Sequence, residues 1–357
     1  MNLDLSNLRK YVNILKGVLE KGNAQTESIY FNFKDDYCYL TGNNVYCRVK
    51  YNRLENSNKT NDDKETIKNF YVDGNVFLSI IEDYPELELN DNKFSKDKNI
   101  FEISITEGDL SSPNYLEKNE LLDITDNFIT YLREAINYVD NRDGSNLNAI
   151  FVKYNSIIST DKKRMYEIEL DNKVRDYTLS INLLKTIFSF NSVNNIKLYK
   201  NENTMLLESD DIQFIFPIIE NLSLPDVKNP SFIKNYDHKT YITLNKLDFK
   251  KELDFLFKVA NSENNYKVIF TVEKDILIME IKESYASIKK EISIIEKDDS
   301  LDNTKFCINC FDIRNLLNYF NKDIIKIQIP TNDNVPAINF KEEDSDKKHI
   351  LLCRMPL

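Results

Sequence analysis

Few residues in this sequence have types and spacings suited to chemistry. Cys307 and Cys310 share the C-x-x-C spacing of a zinc or redox pair, and His238 and His349 are the only histidines. A structural zinc takes four N or S ligands, and no second C-x-x-C or C-x-x-H supplies the missing two. Cys307 follows Phe306 in a strand-like run, so an unliganded thiol is expected, with no metal and no other cofactor. Both histidines stand beside lysines in polar stretches. The acidic pairs Asp35-Asp36 and Glu342-Glu343 fall in turns and read as solvent-facing charge. No G-x-S-x-G elbow, Walker loop, H-E-x-x-H motif or dinucleotide fingerprint occurs. The residues point away from an enzyme and towards recognition.

The stretch best suited to recognition is a hairpin with a cationic corner. Asn146 to Val152 reads as a strand, Lys153-Tyr154-Asn155-Ser156 as a turn, and Ile157 to Thr160 as the returning strand. The corner is Thr160-Asp161-Lys162-Lys163-Arg164-Met165. The chain around it has 357 residues, 41% of them hydrophobic, which suggests two or three domains. No apolar run approaches a membrane span. The first residues lack a basic region followed by an apolar core, and five scattered cysteines fit a reducing compartment, so a cytosolic protein is expected. The net charge of -11 argues against a general nucleic-acid binder unless the basic residues are concentrated on one surface. Abundant Asn, Lys, Ile and Tyr suggest an AT-biased genome, of a low-GC bacterium or its phage.

The elements that hold this hairpin recur. Leu8, Tyr11, Val12, Leu15, Val18 and Leu19 predict a helix from Ser6 to Lys21, stopped by Gly22. Strands follow at 28–33 and 37–41, then a loop at 55–65, a strand at 69–72, a helix at 74–84 and strands at 86–89 and 99–105. The order restarts with a helix at 126–139, the hairpin, a strand at 176–179, a helix at 181–190 and strands at 195–199, 204–208 and 212–216. A third copy begins at Asn245, whose helix buries Phe249, Leu253, Leu256 and Ala260. It continues with strands at 267–272, 276–282 and 305–308, a helix at 312–320, and strands at 324–329, 337–340 and 349–353. The first helices are offset by roughly 119 residues, the mark of an internal repeat. Three domains of ordinary size are expected, at 1–121, 122–237 and 238–357.

The order "L-N-x-hydrophobic strand, turn, strand, T-D-x-x-R-hydrophobic" in the hairpin resembles the middle domain of the bacterial sliding clamp, the β subunit of DNA polymerase III. Phe216-Pro217 with Leu224-Pro225 looks like the family's link out of that domain. Phe306-Cys307-Ile308-Asn309, ahead of Leu316-Leu317, looks like its "F-N-x-x-Y-L" segment. Val335-Pro336-Ala337-Ile338 and the terminal Ile350 to Leu357 resemble its closing strand pair and tail. The likeness runs over the whole chain. It departs where Lys162-Lys163 replace the family's Gly-His, and where the tail order Met-Pro-x-Arg becomes Cys-Arg-Met-Pro.

What the resemblance implies is an α+β fold of three repeated domains, each with two helices packed on curved antiparallel sheets, forming a ring as a head-to-tail homodimer. The expected function is that of a non-catalytic processivity factor. It would encircle double-stranded DNA without sequence preference and tether a DNA polymerase and a clamp loader through their short linear motifs, with no membrane role. The helices of a clamp line its hole, so Arg9, Lys16, Lys21, Arg133, Arg142, Lys185, Lys250, Lys258 and Arg314 are expected to face DNA. The helices carry eleven basic to nine acidic residues, in a chain with 47 and 58. The resemblance also implies a partner-peptide cleft. Its expected apolar lining is Leu147, Met165, Pro217, Leu222, Val335, Ala337, Leu351, Leu352, Met355, Pro356 and Leu357. Its expected polar rim is Thr160, Lys162, Lys163, Arg164, Asn309, Cys353 and Arg354. Two rivals are a clamp-fold regulator or decoy that does not encircle DNA, and a repetitive β-rich assembly protein such as a phage particle component.

Overall fold

The computed structural model describes residues 1–19, 27–33, 36–42, 45–54, 68–90, 93–108, 121–122, 125–142, 145–171, 174–189, 196–209, 211–218, 224, 239–260, 266–282, 287–330, 337–343 and 347–356. The first repeat runs β1 (Asn2–Asp4), α1 (Ser6–Lys10), α2 (Val12–Val18), β2 (Ser28–Asn32), β3 (Tyr37–Gly42), β4 (Val45–Lys50), β5 (Asn52–Leu54) and β6 (Phe70–Asp73). It continues with α3 (Gly74–Asp83), β7 (Glu86–Asn90), β8 (Lys93–Lys96), β9 (Asn99–Phe101) and β10 (Ile105–Glu107). The second is β11 (Leu121–Leu122), α4 (Asp126–Ala135) extended by a 3-10 turn at Ile136–Tyr138, β12 (Ala149–Lys153), β13 (Ser156–Thr160) and β14 (Arg164–Glu169). Then come β15 (Tyr177–Ser180), α5 (Ile181–Ser189), β16 (Ile196–Lys200), β17 (Thr204–Ser209) and β18 (Ile212–Pro217). The third is β19 (Tyr241–Asn245), α6 (Lys246–Val259), β20 (Lys267–Glu273), β21 (Ile276–Lys282), β22 (Ser287–Ser293), β23 (Glu296–Lys297) and β24 (Lys305–Asn309). It ends with α7 (Cys310–Leu316), extended by a 3-10 turn at Leu317–Tyr319, then β25 (Ile324–Gln328), β26 (Ala337–Glu342) and β27 (Lys348–Cys353).

The chain packs as two compact units. One comprises Met1–Phe128 with Lys185–Ile219, the other Ile129–Leu184 with Glu220–Leu357. In the first unit a described sheet runs β10-β6-β2-β3-β4-β18-β17-β16-β11, so the first repeat's third hairpin strand, β4, pairs with the second repeat's last strand, β18. The seam is antiparallel, with Val49 opposite Ile212 and Tyr46 opposite Ile215. A smaller sheet, β5-β1-β7-β8-β9, ends at β9. The second unit repeats the device. Its large sheet runs β15-β12-β13-β14-β27-β26-β25-β19-β23, with β14 of the second repeat paired to β27 of the third. Its small sheet, β22-β21-β20-β24, leaves β22 at an edge.

Several helices spring directly from strands, and the last strand residue caps them. Asp73 accepts from the Val76 N–H at 2.8 Å, Asn245 from Leu247 and Asp248, and Asn309 from Phe311 and Asp312. Each satisfies donors that a helix start leaves open, worth about 1 kcal/mol apiece. Alternation on the strands sends Phe31, Cys38, Leu40, Cys47, Val49 and Phe214 into the first unit's core, where Phe31 meets Phe77 edge-on at 5.2 Å. In the second unit Phe270 stacks on Phe306 at 5.0 Å, under Phe249 of α6.

Beyond short strands outside the expected ranges, among them β1, β5, β8 and β19, the structure departs from expectation in three ways. The first helix is broken at Tyr11 (φ -111°, ψ 9°), where the sequence has neither Gly nor Pro, and Gly22 lies outside the described residues. The 99–105 segment is two short strands, β9 and β10, in different sheets. The third hairpin strands β4, β14 and β22 were not anticipated, although β4 and β14 form both seams.

Candidate functional site

The hairpin is built as expected. Tyr154 and Asn155 both adopt positive φ (53° and 64°), as a two-residue turn between right-twisted strands requires. Beyond Thr160 the chain turns tightly into β14. The Thr160 hydroxyl donates to the Arg164 carbonyl at 2.8 Å and accepts from the Lys162 N–H. Asp161 accepts from the N–H groups of Lys163 (2.9 Å) and Arg164 (2.7 Å). Lys162 sits at φ 75°.

Arg164 is held by two carboxylates. Its guanidinium donates to Asp161 at 2.9 Å, reaches Asp312 of α7 at 3.2 Å, and lies 5.6 Å from the centre of the Tyr138 ring. Burial opposes its charge, but Asp161 and Asp312 outweigh burial and raise its pKa. Burial pushes the Asp312 carboxyl above its ordinary value despite Arg164. A second tie lies nearby: Glu134 of α4 meets Lys348 of β27 at 2.8 Å and accepts from the Tyr166 hydroxyl at 2.8 Å, while Lys348 also donates to the Tyr319 carbonyl. Elements of the second and third repeats are thus fastened by ion pairs as well as by the β14–β27 seam.

Beside the corner lies an apolar cluster of Leu147, Ala149, Phe151, Ile158, Met165, Ala337 and Leu351, with half-buried Leu224 packed on it. The tail runs past it. The Cys353 N–H donates to the Lys163 carbonyl at 2.9 Å, the Met355 N–H to the Cys307 carbonyl at 2.8 Å, and Arg354 to the Pro330 carbonyl at 2.6 Å. Cys353 lies against the Lys162 carbonyl, and burial raises its thiol pKa.

The structure therefore brings together Leu147, Thr160, Lys162, Lys163, Arg164, Met165, Ala337, Leu351, Cys353, Arg354 and Met355, with exposed Pro356 next along the tail. Leu352 does not join the cluster: its neighbour Leu351 does, and successive strand residues face opposite ways. Asn309 is a helix cap and not a free rim amide. Pro217 is the exposed end of β18, in the other unit. Leu222, Val335 and Leu357 lie outside the described residues. Sequence reasoning missed Leu224, although Leu224-Pro225 had been singled out as a link, and missed Asp312, for which there was no local signal.

The residues expected to face DNA are less free than their positions suggested. Arg9, Arg133, Lys185 and Lys258 are exposed. Lys16 pairs with Glu82 at 2.9 Å, Lys250 donates to Asn318 at 2.7 Å, and Arg314 pairs with Asp254 while lying over Phe257. Arg142 pairs with Asp140 at 2.6 Å, and that hydrogen bond, helped by Ser145, holds the Asp140 carboxyl well below the usual carboxylate range. Lys21 lies outside the described residues. The partners come from other helices or turns, so helical periodicity alone could not reveal them.

Cys307 and Cys310 are free and buried, and burial pushes their thiols to about 11 and about 12. Among the described residues no group of His, Cys, Asp or Glu is arranged to hold a metal, and no helix is long and apolar enough to cross a membrane.

Two further faces carry exposed apolar side chains. In the first unit, Asn75, Val76, Ser79, Ile80, Asp83, Tyr84 and Phe101 line an open hollow of about 530 Å³ between α3 and β9, and Ile100 is 66% exposed. In the second, Leu247, Phe255, Lys250, Lys251, Lys258, Lys290, Glu252 and Asp254 surround one of about 490 Å³ on α6 beside β22. Lys290 lies 4.3 Å over the Phe255 ring and pairs with Glu252.

No family model and no curated protein matches the chain. Solved structures do. A chain from Eubacterium rectale given as a DNA polymerase III β subunit is 17% identical, with 99% of each chain covered and a TM-score of 0.79. The DNA polymerase III β subunit of Thermotoga maritima is 16% identical, covering 100% of this chain and 99% of that one, with a TM-score of 0.75. The DNA polymerase sliding clamp of Bacillus subtilis is 13% identical, covering 100% and 98%, with a TM-score of 0.78. What this chain shares with all three is an architecture over its full length, and its fold is that of the bacterial DNA polymerase III β sliding clamps.

Proposed function

We propose that this protein is a DNA sliding clamp: a homodimeric ring that encircles duplex DNA and tethers a polymerase, without catalysing a reaction itself. One observation carries the reading. The third hairpin strand of the first repeat, β4, pairs with β18, the third strand after the second helix of the second repeat, and β14 of the second repeat pairs in the same way with β27 of the third. By the same rule β22 should pair with the third strand after the second helix of a first repeat, which is β9, and among the described strands of one chain both β22 and β9 stand at sheet edges. Long open edges are a hazard that proteins usually cover. A second copy would cover both, twice, with a head-to-tail arrangement closed by a two-fold axis. The faces beside those edges suit one another: Val76, Ile80, Ile100 and Phe101 with Asp83 on one, Leu247 and Phe255 with four lysines against Glu252 and Asp254 on the other.

In this reading the domains are residues 1–121, 122–237 and 238–357. A ring holds DNA topologically, so its phosphate contacts can stay weak and carry no sequence information. Arg9, Lys185 and Lys258 are exposed and suited to that role, and exposed Arg133 would join them. The cluster of Leu147, Met165, Ala337 and Leu351 beside the Thr160–Met165 corner is the place for short linear motifs of a polymerase or clamp loader. Such a motif, with a few buried anchors, would bind at about micromolar strength, about -8 kcal/mol. Sedimentation equilibrium tests the assembly. We expect a discrete species of twice the chain mass. A monomer at micromolar concentration, or an open-ended polymer, contradicts the ring.

A further inference from the structure

The corner beside the apolar cluster sets which motifs the cleft prefers. The polar groups expected on its rim are mostly engaged within the protein. Arg164 is taken up by Asp161 and Asp312. The Thr160 hydroxyl donates to one backbone group and accepts from another, Asn309 caps α7, and Arg354 donates to Pro330. What remains facing solvent is Lys162 and Lys163, both exposed and neither within ion-pair distance of a described carboxylate, although Lys163 is near enough to Asp312 to favour its charged form. The corner's own carboxylate, Asp161, is turned onto Arg164 and the backbone, so it does not neutralise them.

The backbone gives a second, independent observation. Lys162 has a φ of 75°, in the left-handed region that glycine enters freely and an L side chain enters at a cost. The turn is of the kind that favours glycine, yet it carries a lysine. Its N–H is held by the Thr160 hydroxyl, so the conformation is built in and not incidental.

We propose that this cleft selects acidic peptides: a short segment whose apolar anchors pack on Met165, Leu351 and Ala337 beside Leu224, and whose Asp or Glu side chains meet Lys162 and Lys163. The inference rests on reading the cluster as the partner-motif cleft, and it adds the charge of the partner. The cations are exposed, so each pair contributes little, and together they give an acidic peptide an advantage of about three- to tenfold. Screening should erode that advantage between about 0.01 and about 1 M salt.

The test uses two fluorescein-labelled peptides with the same Leu and Phe anchors, one flanked by Asp and the other by Asn at the same places. Fluorescence anisotropy with the full-length protein should show tighter binding of the Asp peptide at low salt and convergence at high salt. In K162G/K163S the two peptides should bind alike, while the melting temperature holds or rises because glycine relieves the turn. K162E/K163E should reverse the order. Equal affinity of the unmodified protein for both peptides, or a preference that survives in K162G/K163S, would overturn the charge inference and leave the cleft standing. Failure of both peptides to bind would overturn the cleft and the inference together.

Discussion

At the scale of single residues, the second unit depends on a buried ion pair that local sequence did not announce. Glu134 and Lys348 have side chains only 12% and 8% exposed, and each makes a further hydrogen bond, to Tyr166 and to the Tyr319 carbonyl. Removing one partner strands the other charge away from water, which typically costs about 3–5 kcal/mol. Glu134→Leu alone should therefore lower the urea midpoint of the second unit sharply, and Glu134→Leu with Lys348→Met should recover most of the loss. A single mutant costing less than about 1 kcal/mol would show the pair to be solvated. The same scale shows what the sequence could and could not reveal. Leu147, Met165, Ala337 and Leu351 were legible because strand motifs carried them, and they do converge. The engagement of Arg164 was not legible, because Asp312 lies on another repeat's helix. Leu352 was expected in the cleft from the resemblance of the whole tail to the family's, and that likeness does not resolve which of two successive strand residues joins the cluster.

At the scale of elements, helices and hairpins with strong periodicity were legible, and the strands that join repeats were not. β22 reads Ser-Ile-Lys-Lys-Glu-Ile-Ser, with charge on both faces, so nothing marks it as a buried strand. β4 does alternate, with Val45, Cys47 and Val49 inward, and was recoverable. Its pairing with β18 is a long-range choice that no local pattern encodes. The exposed edge of β9 supplies the prediction at this scale. Ile100 is 66% exposed and Val76 50% exposed, so I100K/V76K should change the stability of the isolated chain by about 0.5 kcal/mol or less per site. If β9 meets β22 of a second copy, added cations would face the lysines around Phe255 and the dimer should fall to monomers by sedimentation. A dimer that persists with unchanged affinity would place the interface elsewhere.

At the scale of the whole molecule, a net charge of -11 is compatible with a DNA-encircling ring whose binding is topological. Several basic helix residues are already engaged, Lys16 and Arg314 by carboxylates and Lys250 by Asn318, so direct phosphate attraction should be weak. The measurement that bears most directly on this account is retention on DNA of two shapes. Diluted chain is allowed to reassociate in the presence of nicked circular duplex, and the complex is gel-filtered in about 1 M salt, where phosphate contacts are screened. We predict that the protein stays with the circle and is released when a restriction enzyme cuts it. Equal retention on circular and linear DNA that vanishes in high salt would contradict the ring and reduce the interaction to ordinary phosphate contact.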